Sequence, residues 1–243
     1  MAVVEEYTHA GATIIAERRG AGHPVYVLVH GIGMGRTVFG ELASHLDAGE
    51  VIALDLPGYG EAPEPARVLT IERSADLVAA YVRERVGRPA VLVGHSMGAQ
   101  VVTEVAAREP DVVDRLVLVG PTVDPSARTA ARQLWRLLRD IAVESPRVIL
   151  LGAREYLRAG PRIRGKFRAM LAHEPEKTFP RVAAPVLVLR GEDDLVAPRD
   201  WCASIIAALP DGRLVEVPGH GHETMIRDAA VSAREIRRFL REK

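Results

Sequence analysis

The stretch that decides the fold is AVLVGHSMG, residues 90–98. It begins with a short apolar run, and an uninterrupted Val/Leu run of this length is typical of a strand buried on both faces of a sheet. Residues 97–108, which begin at the end of this stretch, have the pattern of a helix. The chain therefore passes from a buried strand into a helix through one short turn, with a glycine two residues to either side of Ser96.

Similar apolar runs alternate with helical patterns along the rest of the chain. Buried strands are predicted at 25–31, 51–58, 90–94, 115–120, 185–191 and 212–219, and helices at 39–46, 71–86, 97–108, 199–209 and 229–241. Two β-type runs, at 3–8 and 12–18, come first and predict a hairpin. This alternation predicts a doubly wound, mostly parallel α/β sheet of about eight strands with an N-terminal antiparallel hairpin.

The segment 122–182 interrupts the alternation. It has helical patterns at 134–143 and 148–157 but no strand-like run that would join the sheet. We therefore predict an α/β core made of residues 1–121 and 183–243, and a helical cap, residues 122–182, inserted over the sheet.

Composition excludes several classes of protein. With 48% hydrophobic residues the chain is not disordered as a whole, and 32 basic against 32 acidic residues argue against a nucleic-acid binder. The one cysteine, Cys202, allows neither an internal disulfide nor a multi-thiolate metal site. The N-terminus does not resemble a signal peptide, and no apolar stretch approaches the roughly 18 residues of a membrane span. We predict a cytoplasmic protein without a membrane span, bound metal or cofactor.

Ser96 lies where chemistry is expected in such a fold. Ligands bind beyond the carboxyl ends of parallel strands, and Gly-x-Ser-x-Gly at a strand–turn–helix junction holds its serine out at a helix N-terminus. There the backbone N–H groups and the helix dipole favour developing negative charge. A serine at this position could instead serve only as a helix N-cap. A nucleophilic serine needs a histidine base and a carboxylate that orients it, and both should follow downstream, acid first.

Two later loops hold these residue types in that order. GEDDLVAP, residues 191–198, follows one predicted strand, and PGHGHE, residues 218–223, follows the next. With these pieces the chain resembles the α/β-hydrolase superfamily, over residues 25–121 and again from 185 to the C-terminus. The resemblance is carried by HGIG at 30–33, DLPGYG at 55–60, GHSMG at 94–98, the acid loop and the histidine loop. The middle segment matches the family's cap only by position.

The resemblance implies a catalytic triad. Ser96 matches the nucleophile, Asp194 the acid and His222 the base. Asp193 is the alternative acid, although it suits a turn or cap position better.

The resemblance also implies an oxyanion hole made by the backbone N–H groups of Ile32 and Met97. Further candidates for a substrate pocket are His30, Gly31, His95, Trp135, Leu138 and His220. His30 also fits a packed, hydrogen-bonded role in its loop, and His220 also fits an ordinary polar loop residue.

The predicted cap is strongly basic. Residues 122–182 contain 11 Arg and 2 Lys against 6 acidic residues, so that the rest of the chain is acidic by the same amount. Solvated helix faces explain such a pattern. Recognition of an anionic substrate, or of one carried on an acidic protein, is the alternative.

The resemblance therefore implies a serine hydrolase that cleaves small-molecule carboxylic esters through an acyl-enzyme. The same triad also serves hydrolysis of C–C bonds, thioesters, lactones and amides, and acyl transfer. A hypothesis of another class is a ligand-binding receptor that retains a slow hydrolase site.

Overall fold

The computed structural model describes residues 2–46, 49–129, 131–133, 162–226 and 229–242. Within these residues the strands are β1 (Val3–His9), β2 (Ala12–Gly20), β3 (Val25–Val29), β4 (Glu50–Asp55), β5 (Ala90–His95), β6 (Val113–Val119), β7 (Val186–Gly191) and β8 (Gly212–Val217). They form one sheet in the order β1-β2-β4-β3-β5-β6-β7-β8. The pairs β1–β2 and β2–β4 are antiparallel, and all others are parallel. The predicted sheet with its N-terminal hairpin is confirmed.

Helices cover both faces of the sheet. They are α1 (Gly40–His45), α2 (Ile71–Tyr81), α3 (Met97–Arg108), α4 (Ile163–Ala172), α5 (Arg199–Ala208) and α6 (Ala229–Arg241). Val27 of β3 belongs to the core cluster that contains α2, α3 and α5, while its neighbour Leu28 belongs to the cluster that contains α1 and α6. A strand between two helical layers must be apolar on both sides, which explains the unbroken Val/Leu runs.

The hairpin that joins β1 to β2 turns through two residues. His9 pairs with Ala12, and the residues between them, Ala10 and Gly11, have φ of 49° and 77°. Positive φ at both central residues is the geometry of a type I′ turn, whose twist matches that of the flanking strands.

The predicted helix at 71–86 is divided in the structure. The α-helix ends at Tyr81, and Val82–Val86 continues as a π-helical turn. The Gly87 N–H donates to the Val82 carbonyl at 2.9 Å, and Gly87 has the left-handed φ of 70° that favours glycine. A sequence pattern with the helical period does not distinguish the two kinds of turn, because both present similar faces over five residues.

Part of the predicted cap can be described. The helical patterns at 134–143 and 148–157 both lie outside the described residues, whereas α4 and three short 3-10 turns lie within them. The core holds α4 in place: the Gln100 side chain donates to the Met170 carbonyl at 3.2 Å, and Arg162 donates to the Ala66 carbonyl at 2.8 Å. No helix in the described ranges combines the length and the apolar character of a membrane span.

Candidate active site

The turn between β5 and α3 holds Ser96 in an unusual backbone conformation. Its φ is 53° and its ψ −115°, and left-handed φ is uncommon for a residue other than glycine. The surroundings enforce this geometry. A Cβ at Gly98 would overlap the Val29 carbonyl oxygen, and the Ser96 N–H donates to the Val119 carbonyl at 2.9 Å. Strain of this kind persists only where packing overdetermines the backbone, and it is common at active sites.

The position of Ser96 gives it access to backbone donors. It directly precedes α3, whose first amide, that of Met97, has no acceptor within the helix. The loop after β3 lies against the same point, because a Cβ at Gly31 would be 3.1 Å from the Ser96 Cβ. The next residue, Ile32, packs against the core at the edge of this loop. The two predicted oxyanion donors thus belong to segments that flank the serine.

Asp194 and His222 form a buried pair at the carboxyl end of the sheet. They lie on the loops after the neighbouring parallel strands β7 and β8, and His222 Nδ1 donates to Asp194 Oδ2 at 2.9 Å. The second oxygen, Oδ1, accepts from the N–H groups of Val196 at 2.8 Å and Ala197 at 2.7 Å. The alternative acid, Asp193, is exposed. Asp194 is therefore the carboxylate that contacts the predicted base.

The electrostatics of the pair fix the tautomer of the imidazole. Burial alone would raise the pKa of Asp194, but His222 and the two backbone N–H donors hold the pKa below its usual value. An ionised carboxylate only accepts hydrogen bonds, so the proton of a neutral His222 imidazole lies on Nδ1. Its Nε2 then carries the lone pair that a general base requires.

Gly120 links the serine to this pair. It follows Val119, the acceptor of the Ser96 N–H, and a Cβ at Gly120 would lie 2.8 Å from the His222 ring and 3.2 Å from Asp194 Oδ2. Its φ of 51° also favours glycine. The imidazole packs directly over the end of β6, one residue from the point that anchors the serine.

Comparison with known proteins identifies the family. A family model described as the alpha/beta hydrolase family matches residues 26–234. The chain belongs to the α/β hydrolase family.

Relatives of this hydrolase support a hydrolytic activity. RutD of Klebsiella pneumoniae (strain 342), which bears the name of a carbamate hydrolase, is 29% identical over 86% of this chain and 88% of that protein. A pimeloyl-[acyl-carrier protein] methyl ester esterase of Neisseria meningitidis is 45% identical over 94 residues, or 38% of this chain and 28% of that protein. A solved esterase from Thermogutta terrifontis with malate bound has a TM-score of 0.81 and 24% identity over 99% of this chain and 98% of that chain. That structural likeness shows the fold.

Of the histidines considered for the substrate pocket, His30 and His95 are wholly buried in the hydrolase. His30 Nε2 accepts from the Leu56 N–H at 3.1 Å, so its Nδ1 donates to the Gly31 carbonyl at 2.7 Å. His30 thus has the packed role that its sequence also allowed, holding the loop of the predicted oxyanion donor. His95 Nε2 lies 3.2 Å from the His222 carbonyl oxygen. His220 bonds through Nδ1 to the Pro218 carbonyl at 2.7 Å.

The other predicted pocket residues, Trp135 and Leu138, lie outside the described residues. A small cavity beside Met97 has different walls, which the sequence analysis missed. Tyr59 and residues of α4, including Lys166 and Ala169, line it. Lys166 pairs with Glu64 at 2.9 Å and lies 4.3 Å from the centre of the Tyr59 ring. The sequence between Asp55 and α2 does not indicate that these residues line a cavity, because they come close to Met97 only in the folded protein.

Arg190 is a further residue that the sequence analysis missed. It lies in β7, and its guanidinium donates to three carbonyls of the acid loop: those of Glu192 at 3.2 Å, Asp194 at 3.1 Å and Ala197 at 3.1 Å. It also pairs with Glu216 of β8. The signal was an arginine within an otherwise apolar strand, where a charged residue needs a specific set of partners.

Replacing Arg190 with leucine should loosen this loop. Three hydrogen bonds to carbonyls are lost, and at roughly 1 kcal/mol each we expect the free energy of unfolding to fall by about 3 kcal/mol. Urea unfolding measures this loss. The matched control is Arg199→Leu, because Arg199 pairs with the same Glu216 at 3.4 Å but is 74% exposed. It should cost under about 1 kcal/mol. Equal losses in the two variants would contradict the role given to Arg190.

Proposed function

We propose that this hydrolase cleaves carboxylic esters through an acyl-enzyme, with Ser96 as nucleophile, His222 as general base and Asp194 as the acid that orients it. The observation that carries the proposal is the buried His222–Asp194 pair at 2.9 Å, packed over the strand end that also anchors the strained Ser96 backbone. A serine that served only as an N-cap would need neither the buried pair nor the strain.

The proposed reaction has two halves. His222 Nε2 takes the Ser96 hydroxyl proton as Oγ attacks the ester carbonyl, and the N–H groups of Met97 and Ile32 stabilise the resulting oxyanion. The imidazolium, stabilised by Asp194, then protonates the departing alcohol. Water, deprotonated by the same imidazole, attacks the acyl-enzyme and releases the carboxylic acid. As the acid departs, His222 returns the proton taken from water to Ser96 Oγ, so the enzyme is regenerated without a cofactor.

A second candidate reaction is carbamate or amide hydrolysis. It is favoured by RutD, whose likeness extends over most of both chains. The geometry proposed above would serve it with one difference: His222 protonates a leaving nitrogen, which is a poorer leaving group than an alkoxide. The N. meningitidis relative favours the ester. Its sequence identity to this chain is higher than that of RutD, but it extends over fewer residues. Thioester, lactone and C–C hydrolysis and acyl transfer would use the same residues.

We also propose that residues 122–182 form a cap on a core of 1–121 and 183–243. Support comes from α4, which lies within that segment and forms one wall of the cavity beside Met97. Several basic residues of the segment are paired within the protein. Arg128 pairs with Glu176 at 2.6 Å, and Lys177 with Glu174 at 2.5 Å. These acidic partners neutralise part of the segment's basic charge inside the protein, which favours a substrate that need not be anionic.

Turnover of p-nitrophenyl acetate and butyrate tests the proposal. We expect many turnovers per site, because water can deacylate the enzyme through His222. A single burst of one nitrophenolate per site would favour the receptor hypothesis instead. A matched panel of neutral and anionic esters and a phenyl carbamate extends the test. We expect equal rates for neutral and anionic esters at low salt, and faster hydrolysis of esters than of carbamates. A preference for anionic esters would overturn the solvated-face interpretation.

A further inference from the structure

His95 lies at the centre of the site and yet is closed to solvent. It is the last residue of β5, directly before Ser96, and its exposed fraction is 0%. Because β5 lies in the middle of the sheet between β3 and β6, the residue is fixed to the most rigid part of the fold. A side chain without exposed surface is not placed to touch substrate. Any part it takes in catalysis must act through a neighbour.

That neighbour is His222. His95 Nε2 is 3.2 Å from the backbone carbonyl oxygen of His222, and the two rings lie 4.9 Å apart between centroids at a tilt of 48°. A carbonyl only accepts hydrogen bonds, so Nε2 carries the proton and donates it. The bond joins a central strand to the loop between β8 and α6, and that loop carries the proposed base.

The Nδ1 edge of the His95 ring lies against the loop of the predicted oxyanion donor. Its Nδ1 would be 3.1 Å from a Cβ at Gly31, so the ring fits there because that residue is a glycine. Nδ1 is buried and has no hydrogen-bond partner among the described residues. Burial lowers the pKa of His95 well below its ordinary value, so the ring is neutral. A neutral ring does not oppose the positive charge that forms on His222 during catalysis.

We propose that His95 is a positioning residue, whose Nε2–H holds the His222 loop over Ser96 by a hydrogen bond to the His222 carbonyl. The inference rests on the proposed function, in which His222 acts as base. Without this hydrogen bond the His222 loop is held less firmly to the sheet. The imidazole then moves away from the position in which it reaches the Ser96 hydroxyl. A displacement of about 1 Å in a catalytic group can cost on the order of a hundredfold in rate.

The test compares His95→Gln with His95→Met. The two side chains have similar length and shape, but only glutamine has an N–H at the end that can reach the carbonyl. We expect His95→Met to lower kcat for p-nitrophenyl acetate, and the rate of inactivation by a fluorophosphonate, by about tenfold to a hundredfold. KM should stay within about twofold, because the residue does not touch substrate. His95→Gln should restore both rates to within about threefold of the wild type.

Thermal unfolding of each variant shows whether it is folded at the assay temperature. If His95→Met is not, His95→Asn takes its place, because its amide is too short to reach the carbonyl. A Met or Asn variant as fast as the wild type would overturn the inference, and so would a Gln variant as slow as Met. If the wild type itself reacts with neither probe, it is the proposed function that fails.

Discussion

Ser96→Ala is expected to abolish both hydrolysis and covalent labelling. Removing the nucleophile of a serine triad lowers kcat by about a millionfold and leaves only the roughly 10³- to 10⁴-fold acceleration that the oxyanion hole and binding supply. The substitution adds no atoms at a site where Ser96 is 7% exposed, and alanine has the same backbone preference as serine at positive φ. The fold should therefore persist, and the loss should be chemical.

Incubation with a fluorophosphonate probe, followed by intact mass, measures the effect directly. The wild type should gain one adduct, and Ser96→Ala none. Ser204→Ala is the matched control, because Ser204 is an exposed helical serine whose hydroxyl donates to the Trp201 carbonyl at 2.7 Å. It should be labelled like the wild type. An adduct on Ser96→Ala would disprove the assignment of the nucleophile.

The sequence was informative wherever a local pattern had one structural solution. Unbroken runs such as 25–29 and 90–94 require burial on both faces, and that requirement predicts the doubly wound sheet. Gly94 and Gly98 predict the sharp turn, and the structure supplies the reason: a Cβ at either would overlap backbone. Order along the chain placed Asp194 and His222 on loops after neighbouring strands, where the sheet brings them within hydrogen-bond distance.

What the sequence did not reveal depends on tertiary contacts. The sequence makes His95 a candidate pocket residue, but nothing local indicates that its ring faces the His222 carbonyl, 127 residues away. Arg190 is conspicuous as an arginine in an apolar strand, but its partners are three main-chain carbonyls of the acid loop, which the sequence does not identify. The wall that Lys166 gives to the cavity beside Met97 arises only when α4 folds back on the 56–69 segment. The triad motifs thus predicted the proposed reacting groups, and the side chains that hold them had to be observed.

Asp194→Asn is expected to lower kcat by about 10⁴-fold while leaving the fold in place. The cause is the tautomer. The amide introduced by this substitution would offer an N–H toward His222 Nδ1, which favours the imidazole with its proton on Nε2. That nitrogen then points a proton at Ser96 and has no lone pair with which to accept one. Multiple-turnover assays at pH 7 with p-nitrophenyl acetate measure the loss.

Asp193→Asn is the matched control for this change. It makes the same substitution one residue earlier, on an exposed side chain that does not form the bond to His222. We expect its kcat to stay within about threefold of the wild type, because exposed substitutions away from special contacts have small effects. If Asp193→Asn lost activity and Asp194→Asn kept it, the acid would have to be reassigned.

Asp194→Asn should also differ from the wild type in how stability depends on pH, because the substitution removes a carboxylate whose pKa is lowered in the folded protein. Folding holds the pKa of Asp194 below its usual value, so the unfolded chain binds the proton more readily than the folded one. The stabilisation is complete above the ordinary aspartate pKa of about 4 and is lost as the pH falls through the lower, folded-state pKa. Urea unfolding of the wild type and of Asp194→Asn should therefore give free energies that converge as the pH is lowered below about 4. A difference that stayed constant across this range would mean that the folded loop does not stabilise the ionised form of Asp194, and it would contradict the tautomer assigned to His222.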